Sequence, residues 1–95
     1  MKDMSQILDK LSLKEHLLFD FSAKFATLVH TTREAQGMSQ LELGAFSEIS
    51  VQIIDRLENY QGLPTLEEVL LIANALDLRL KFCPVKKEET NEQTS

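Results

Sequence analysis

The chain has 95 residues, enough for one small hydrophobic core, which excludes most large enzymes. Its 43% hydrophobic and 26% charged residues are typical of a globular protein and exclude a collagen-like or wholly disordered chain. Fifteen acidic against ten basic residues give a net charge of −5, which argues against a general polyanion binder or a protein of anionic membrane surfaces.

The single cysteine, Cys83, cannot form a disulfide within the chain, which argues against a small secreted protein held together by bridges. No apolar run is long enough to span a membrane, and the N-terminus lacks the charged-then-apolar layout of a signal peptide. We therefore expect a cytoplasmic protein without a membrane segment.

The sequence contains no recognisable catalytic or metal-binding motif. His16 and His30 have no cysteine, histidine or carboxylate partner at metal-ligand spacing, and no catalytic triad or glycine-rich phosphate loop is present. The sequence therefore predicts a protein that is not an enzyme and holds no metal or cofactor.

The N-terminal third is predicted to be helical. Leucines and other apolar residues recur through residues 3–20, and Ser12 precedes Glu15 at the spacing of a capping box, so one or two short helices are expected there. A further helix is predicted from Ser22 to Gln36, because apolar residues recur at helical spacing and Gly37 can adopt the left-handed conformation that ends a helix.

Two short helices are predicted next. Ser39 and Glu42 form a second capping-box pattern, which begins a helix that runs to about Phe46. Ser50 can cap another helix over residues 51–58. Because only about four residues connect them, the two helices must cross steeply rather than lie antiparallel.

The C-terminal third combines a helix with an alternating segment. After a loop over residues 60–64, Thr65 and Glu68 form a third capping-box pattern before a broad apolar stripe. Apolar residues then alternate with polar ones as far as Pro84, and this pattern predicts a strand. The residues on its apolar side are Leu78, Leu80 and Phe82. A lone strand needs a pairing partner, so we expect the same strand of a second subunit to pair with it in a homodimer.

The central motif resembles the Cro/CI repressor family, also called XRE-type. The resemblance covers about residues 22–77 and is carried by Arg33, residues 37–43, Ile49, Ser50, Ile54, residues 57–59 and residues 64–69. It implies an all-α, lambda-repressor-like helix-turn-helix bundle of about five helices, to which the alternating segment adds one short C-terminal β-strand for dimerisation. The expected division is a helical extension over 1–20, a DNA-binding domain over 21–77, the strand over 78–84 and a disordered tail over 85–95.

The resemblance also assigns DNA contacts. The helix over 51–58 would enter the major groove, with Val51, Gln52, Asp55 and Arg56 as base contacts. Glutamine suits adenine, arginine suits guanine, aspartate can accept from cytosine, and valine can touch only a thymine methyl. Phosphate contacts would come from Ser39, Gln40 and Asn59. Arg33 and Glu58 would form a structural ion pair. A merely solvated helix face is the alternative for the four base-contact positions.

The sequence departs from the family pattern in two ways. Glu48 and Tyr60 stand where the family prefers glycine, which raises backbone strain or shifts the turn. Residues 22–65 also carry three basic against five acidic residues, for a net charge of −2. We therefore expect one subunit to bind DNA weakly.

The segment over 76–82 is similar to small antitoxins of the HipB type, which dimerise through a strand, repress their own operon and bind a toxin. The sequence therefore predicts a homodimeric repressor of a double-stranded DNA operator, namely the autoregulating antitoxin of a type II toxin–antitoxin operon with a cognate toxin as partner. Two alternatives stay open: a phage-type repressor without a toxin partner, and a protein-interaction module that has lost DNA binding.

Overall fold

A computed structural model describes residues 4–85 of the chain, with side chains from residue 12 onward. The described residues form four helices and no strand: α1 (Met4–Ala35), α2 (Gln40–Ser47), α3 (Val51–Glu58) and α4 (Leu66–Ala75). The helical class is therefore confirmed, although about five helices were expected. Apart from Val85, the tail predicted to be disordered lies outside the described residues.

The N-terminal helices predicted separately are one helix of 32 residues. The expected start at Ser12 is wrong, because this residue lies inside α1. Residues 3–36 contain neither glycine nor proline, so nothing interrupts the helix. A serine three residues before a glutamate is equally compatible with a helix interior. As a result, α1 also runs across the expected domain boundary between residues 20 and 21.

The predicted caps of the later helices are confirmed. Ser39 and Glu42 bond reciprocally, with the Glu42 amide 3.0 Å from Ser39 Oγ and the Ser39 amide 2.8 Å from the Glu42 carboxylate. Ser50 accepts a hydrogen bond from the amide of Ile53, and Thr65 forms the third capping box. These side chains fix where α2, α3 and α4 begin, because they satisfy amides that the first helical turn leaves unpaired.

Each helix is followed by a residue in the left-handed conformation. Gly37 ends α1 with φ +68° as predicted, and Glu48, Tyr60 and Asp77 follow α2, α3 and α4 with φ between +60° and +62°. Behind α1, α3 and α4 the backbone forms the paired hydrogen bonds of a Schellman motif. Three of the four helices are therefore followed by a residue with a side chain, for which the left-handed conformation is unfavourable, whereas glycine adopts it freely.

One hydrophobic core joins the four helices. It holds together because α2 packs against both α3 and α4 while α1 packs against α3. The largest fully buried side chains are Val29, Leu43, Ile54, Ile72 and Leu76. Burial of each such side chain contributes about 1.5–3 kcal/mol, so the core positions α3 firmly against the other helices.

The strand predicted over residues 78–84 is not found, since residues 78–85 have no regular secondary structure. A strand exists only through hydrogen bonds to a neighbour, and the described chain offers this segment none. Leu78 and Leu80 are instead half-buried and line a groove beside α1 and α4. Phe82 remains 92% exposed, so two of the three apolar residues of this segment pack against the helices and the third does not.

None of the helices within residues 4–85 combines the length and the hydropathy needed to cross a lipid bilayer.

Candidate DNA-binding interface

The outer face of α3 presents three of the four predicted base contacts to solvent. Gln52, Asp55 and Arg56 are exposed, whereas Ile54 and Leu57 of the same helix are buried. Positions three and four residues apart lie on one side of a helix, so the three polar side chains share a face. Val51, the fourth predicted contact, is half-buried at the first position of α3.

Asn59 is held against the end of this helix. Its Nδ2 lies 2.9 Å from the backbone oxygen of Asp55 and 3.1 Å from Asp55 Oδ1. The Asn59 amide is therefore directed at Asp55 and holds its carboxylate on the exposed face. In this conformation the amide nitrogen is occupied by Asp55, so the predicted phosphate contact requires the side chain to turn.

The N-terminus of α2 lies beside the end of α3. Ser39 caps α2, and the backbone amides of the next two residues point away from the helix as free donors. The side chain of Gln40 is half-buried, and its Nε2 donates to Glu58 Oε1 at 3.1 Å. One amide hydrogen of Gln40 is thus used for positioning, while the second is free to donate to an anion.

Glu58 is the point where three helices meet. Its carboxylate accepts two hydrogen bonds from the Arg33 guanidinium, Nε to Oε2 at 2.7 Å and Nη2 to Oε1 at 2.8 Å. Arg33 Nη1 also donates to the backbone oxygen of Met38 at 2.7 Å. The two ion-paired side chains are only 9% and 4% exposed. The structure thus brings Arg33 and Glu58 together as a bidentate pair that links α1 to the end of α3, with Gln40 joining it from α2.

The environment of Glu58 strongly favours its charged form. Burial alone would raise the pKa of this carboxyl, but hydrogen bonds from Arg33, His30 and Gln40 outweigh it and lower the pKa from 4.5 to about 2. The same hydrogen bond to Glu58 raises the pKa of Arg33. The pair therefore stays ionised at neutral pH and holds α1, α2 and α3 in one arrangement.

His30, to which the sequence assigned no site, takes part in this network. Its Nδ1 lies 2.9 Å from Glu58 Oε1 and its Nε2 lies 3.3 Å from Glu34 Oε1. Its position three residues before Arg33 places both side chains on one side of α1, and this spacing is the signal that could have indicated the role. Among the described residues no cluster of histidine, cysteine and carboxylates suits a metal ion.

The turn between α2 and α3 depends on a glycine that the sequence pattern did not single out. Gly44 is buried within α2, and a Cβ built on it would lie 2.8 Å from the backbone oxygen of Ile49. That distance is too short for any other residue unless the turn moves. Gly44 thus permits the close approach of α2 to the turn, and Glu48 completes the turn in the left-handed conformation.

The interface carries little positive charge. Between residues 39 and 65 Arg56 is the one basic residue, against Glu42, Glu48, Asp55 and Glu58. Arg33 already neutralises Glu58. The surface therefore offers hydrogen-bond donors and acceptors from α3 and helix-end amides from α2, with a single cation per subunit.

Comparison with known proteins identifies the family of this chain. The family model described as helix-turn-helix matches residues 29–82, more than half of the chain, and this stretch includes α2, the turn, α3 and α4. No curated protein matches the sequence. The match begins near the end of α1, so most of that helix lies outside it. With capped α2 and α3, a three-residue turn and an exposed polar face on α3, the chain belongs to the XRE-type (Cro/CI-like) helix-turn-helix family of DNA-binding transcription regulators.

Proposed function

We propose that this regulator is a homodimeric, sequence-specific repressor that places α3 of each subunit in successive major grooves of an inverted-repeat operator. The observation that carries the proposal is the exposed triplet Gln52, Asp55 and Arg56 on α3, beside the free amides at the start of α2. Glu58 fixes α3 relative to α1 through its bidentate ion pair with Arg33, and relative to α2 through the hydrogen bond from Gln40. Preorganised donors of this kind suit a rigid DNA surface.

The side chains of α3 suit direct base readout. Arg56 offers two parallel donors for guanine, Gln52 offers a donor and an acceptor for adenine, and Asp55 offers an acceptor for the amino group of cytosine. Val51 can contact a thymine methyl from its half-buried position. In this arrangement the base contacts of α3 determine sequence specificity, while α2 determines how deeply α3 enters the major groove.

Phosphate contacts are assigned to the start of α2. Ser39 and Gln40 lie where helix-end amides favour an anion, and the second amide hydrogen of Gln40 can reach a phosphate oxygen. Asn59 is a further phosphate contact once its side chain leaves Asp55. None of these groups is a cation, so pairing two subunits on one operator is needed to offset the weak binding of each.

Within this function the regulator serves as the autoregulating antitoxin of a toxin–antitoxin operon. The support is the exposure of Phe82, which leaves an aromatic side chain for a toxin, together with the sequence resemblance of residues 76–82 to HipB-type antitoxins, although this segment forms no strand in the described chain. Co-purification with the product of the adjacent gene tests this role. A neighbour that does not bind would favour the phage-type repressor without a toxin partner.

A protein-interaction module that has lost DNA binding is the second candidate. It is favoured by Asp55 on the reading face and by the excess of carboxylates around Arg56. Such a module would bind a partner protein but would not bind DNA at any salt concentration, and this absence of DNA binding distinguishes it from the repressor.

An electrophoretic shift with DNA from upstream of the chain's own gene tests DNA binding. The wild type is expected to shift this fragment at low salt. Arg56→Ala is expected to weaken the binding free energy by about 1–3 kcal/mol, because a bidentate base contact is lost. Arg79→Ala is the matched control, since Arg79 is exposed but lies outside α2 and α3. Absence of a shift for the wild type, or equal weakening by both variants, would contradict base readout by α3.

A further inference from the structure

The middle of α1, over residues 13–28, carries an apolar stripe that the helix-turn-helix does not use. Leu13, Leu17, Phe21 and Leu28 are all exposed, Leu17 to 64%, and the residue spacing of four, four and seven places them on one side of the helix. The stripe is roughly 22 Å long at the rise of an α-helix. All four residues precede residue 29, where the family match begins.

The stripe continues into a groove between α1 and the C-terminal segment. Phe21 and Leu28 of α1, Val69 of α4, and Leu78 and Leu80 line this groove, which encloses about 270 Å³. Phe21 also stacks on the buried Phe25, with ring centroids 5.7 Å apart. The stripe and groove form one continuous apolar surface, which a monomer would leave in contact with water.

The residues of this sequence that lie outside the structure do not suit this surface. The residues outside the structure are 1–3 and 86–95. The first group is too short, and the second is composed of lysine, glutamate, threonine, asparagine, glutamine and serine without an apolar side chain. Burial of such polar residues against leucines and phenylalanines would be unfavourable.

The charges around the stripe suit a second copy of the chain. Residues 12–29 carry Lys14 and Lys24 against Glu15 and Asp20, so this segment is neutral although the whole chain has a net charge of −5. Two copies can therefore approach along α1 without the repulsion that the rest of the surface would impose. A two-fold interface is self-complementary and uses the same patch on both subunits, and the segment over residues 12–29, which is neutral and carries both signs of charge, meets that condition.

We propose that two copies of the chain pair through the apolar stripe of α1 and the adjoining groove, with Leu17 inside the interface and Phe82 outside it. The inference rests on the homodimer proposed above and names its surface. It replaces strand pairing with helix packing as the contact between subunits, and it leaves Phe82 free for another partner.

Sedimentation equilibrium of the full chain without DNA tests the interface. Leu17→Glu is expected to raise the dimer dissociation constant at least about tenfold, because each subunit loses a buried leucine. Phe82→Glu, the matched exposed apolar site on the predicted strand, is expected to leave the constant unchanged. Circular dichroism of each variant reports whether the helices are intact, and Leu17→Ala, which preserves helix propensity, is expected to weaken the dimer if Leu17→Glu fails to fold.

Three results would overturn this interface. They are a wild type that stays monomeric at every concentration, a dimer insensitive to both Leu17 variants, and a dimer lost on Phe82→Glu, which would assign the contact to strand pairing. Because DNA is absent from the experiment, its outcome is independent of the electrophoretic shift. A chain that dimerises through α1 and does not shift DNA would refute the repressor and leave the interface standing.

Discussion

At the scale of single residues, Glu58 does the most to hold the reading helix in place. Its carboxylate is 4% exposed and receives hydrogen bonds from α1 and α2. Because removal of one partner leaves a buried charge uncompensated, Glu58→Gln is expected to lower the free energy of unfolding at neutral pH by about 3 kcal/mol. Urea denaturation measures the change, and Glu15→Gln on the exposed face of α1 is the control that should leave stability unchanged.

The same residue gives a pH dependence. The pKa of Glu58 is 4.5 in its reference state and about 2 in the fold, so the unfolded chain binds the proton more tightly and protonation favours unfolding. The stabilisation, on the order of 3 kcal/mol, is complete above pH 4.5 and is lost as the pH falls towards 2. The stability difference between wild type and Glu58→Gln should therefore shrink over this interval. A constant difference would show that Glu58 does not ionise abnormally.

Glu48 offers a second test at the residue scale. Its φ of +62° is a strained conformation for a residue with a side chain, at a cost of about 1–2 kcal/mol, whereas glycine loses about 0.5–1 kcal/mol through its more flexible unfolded state. Glu48→Gly is therefore expected to raise the free energy of unfolding by up to about 1 kcal/mol. Glu48→Gln keeps the strain and removes the charge, so equal stabilisation by both variants would attribute the effect to charge instead.

At the scale of elements, the packing of α2 on the turn depends on Gly44. Alanine would favour the helix by about 1 kcal/mol, but its Cβ would lie 2.8 Å from the backbone oxygen of Ile49. Gly44→Ala is therefore expected to destabilise the fold by about 1–3 kcal/mol and to weaken DNA binding through a displaced α3. Thermal unfolding with Ala45→Gly, the exposed neighbour, provides the comparison. A Gly44→Ala protein more stable than wild type would contradict the close approach.

Local signals in the sequence predicted the helix-turn-helix elements well. The caps at Ser39, Ser50 and Thr65 and the stop at Gly37 each depend on a few neighbouring residues, and each is present in the structure. The continuous α1 could not be predicted from Ser12, because a capping-box pattern does not distinguish a helix start from a helix interior.

Features that depend on residues distant in sequence were harder to predict. The hydrogen bonds from His30 and Gln40 to Glu58 could be predicted only once the relative positions of α1, α2 and α3 were known. The need for glycine at position 44 likewise depends on how closely the turn approaches α2. The alternation over residues 78–82 has two physical outcomes, pairing with a strand or packing of alternate leucines against helices. In the described chain the leucines pack against α1 and α4.

At the scale of the whole molecule, the net charge of −5 predicts a DNA affinity that depends little on salt. Each subunit brings one cation, Arg56, to the interface, so a dimer would release few counterions. Raising salt from 50 to 200 mM is expected to weaken binding on the order of tenfold, against 10³–10⁵ for proteins with many cationic phosphate contacts. Fluorescence anisotropy over a salt series measures the slope. A steep slope would indicate cationic contacts outside α2 and α3.

Selection of binding sites from a random DNA pool with the full chain tests the claim that paired copies of α3 read DNA. The wild type is predicted to enrich an inverted repeat with half-sites about one helical turn apart, and Arg56→Ala is predicted to lose the preference at a single base pair of each half-site. Enrichment of no sequence, or of the same sequence by both proteins, would contradict the claim.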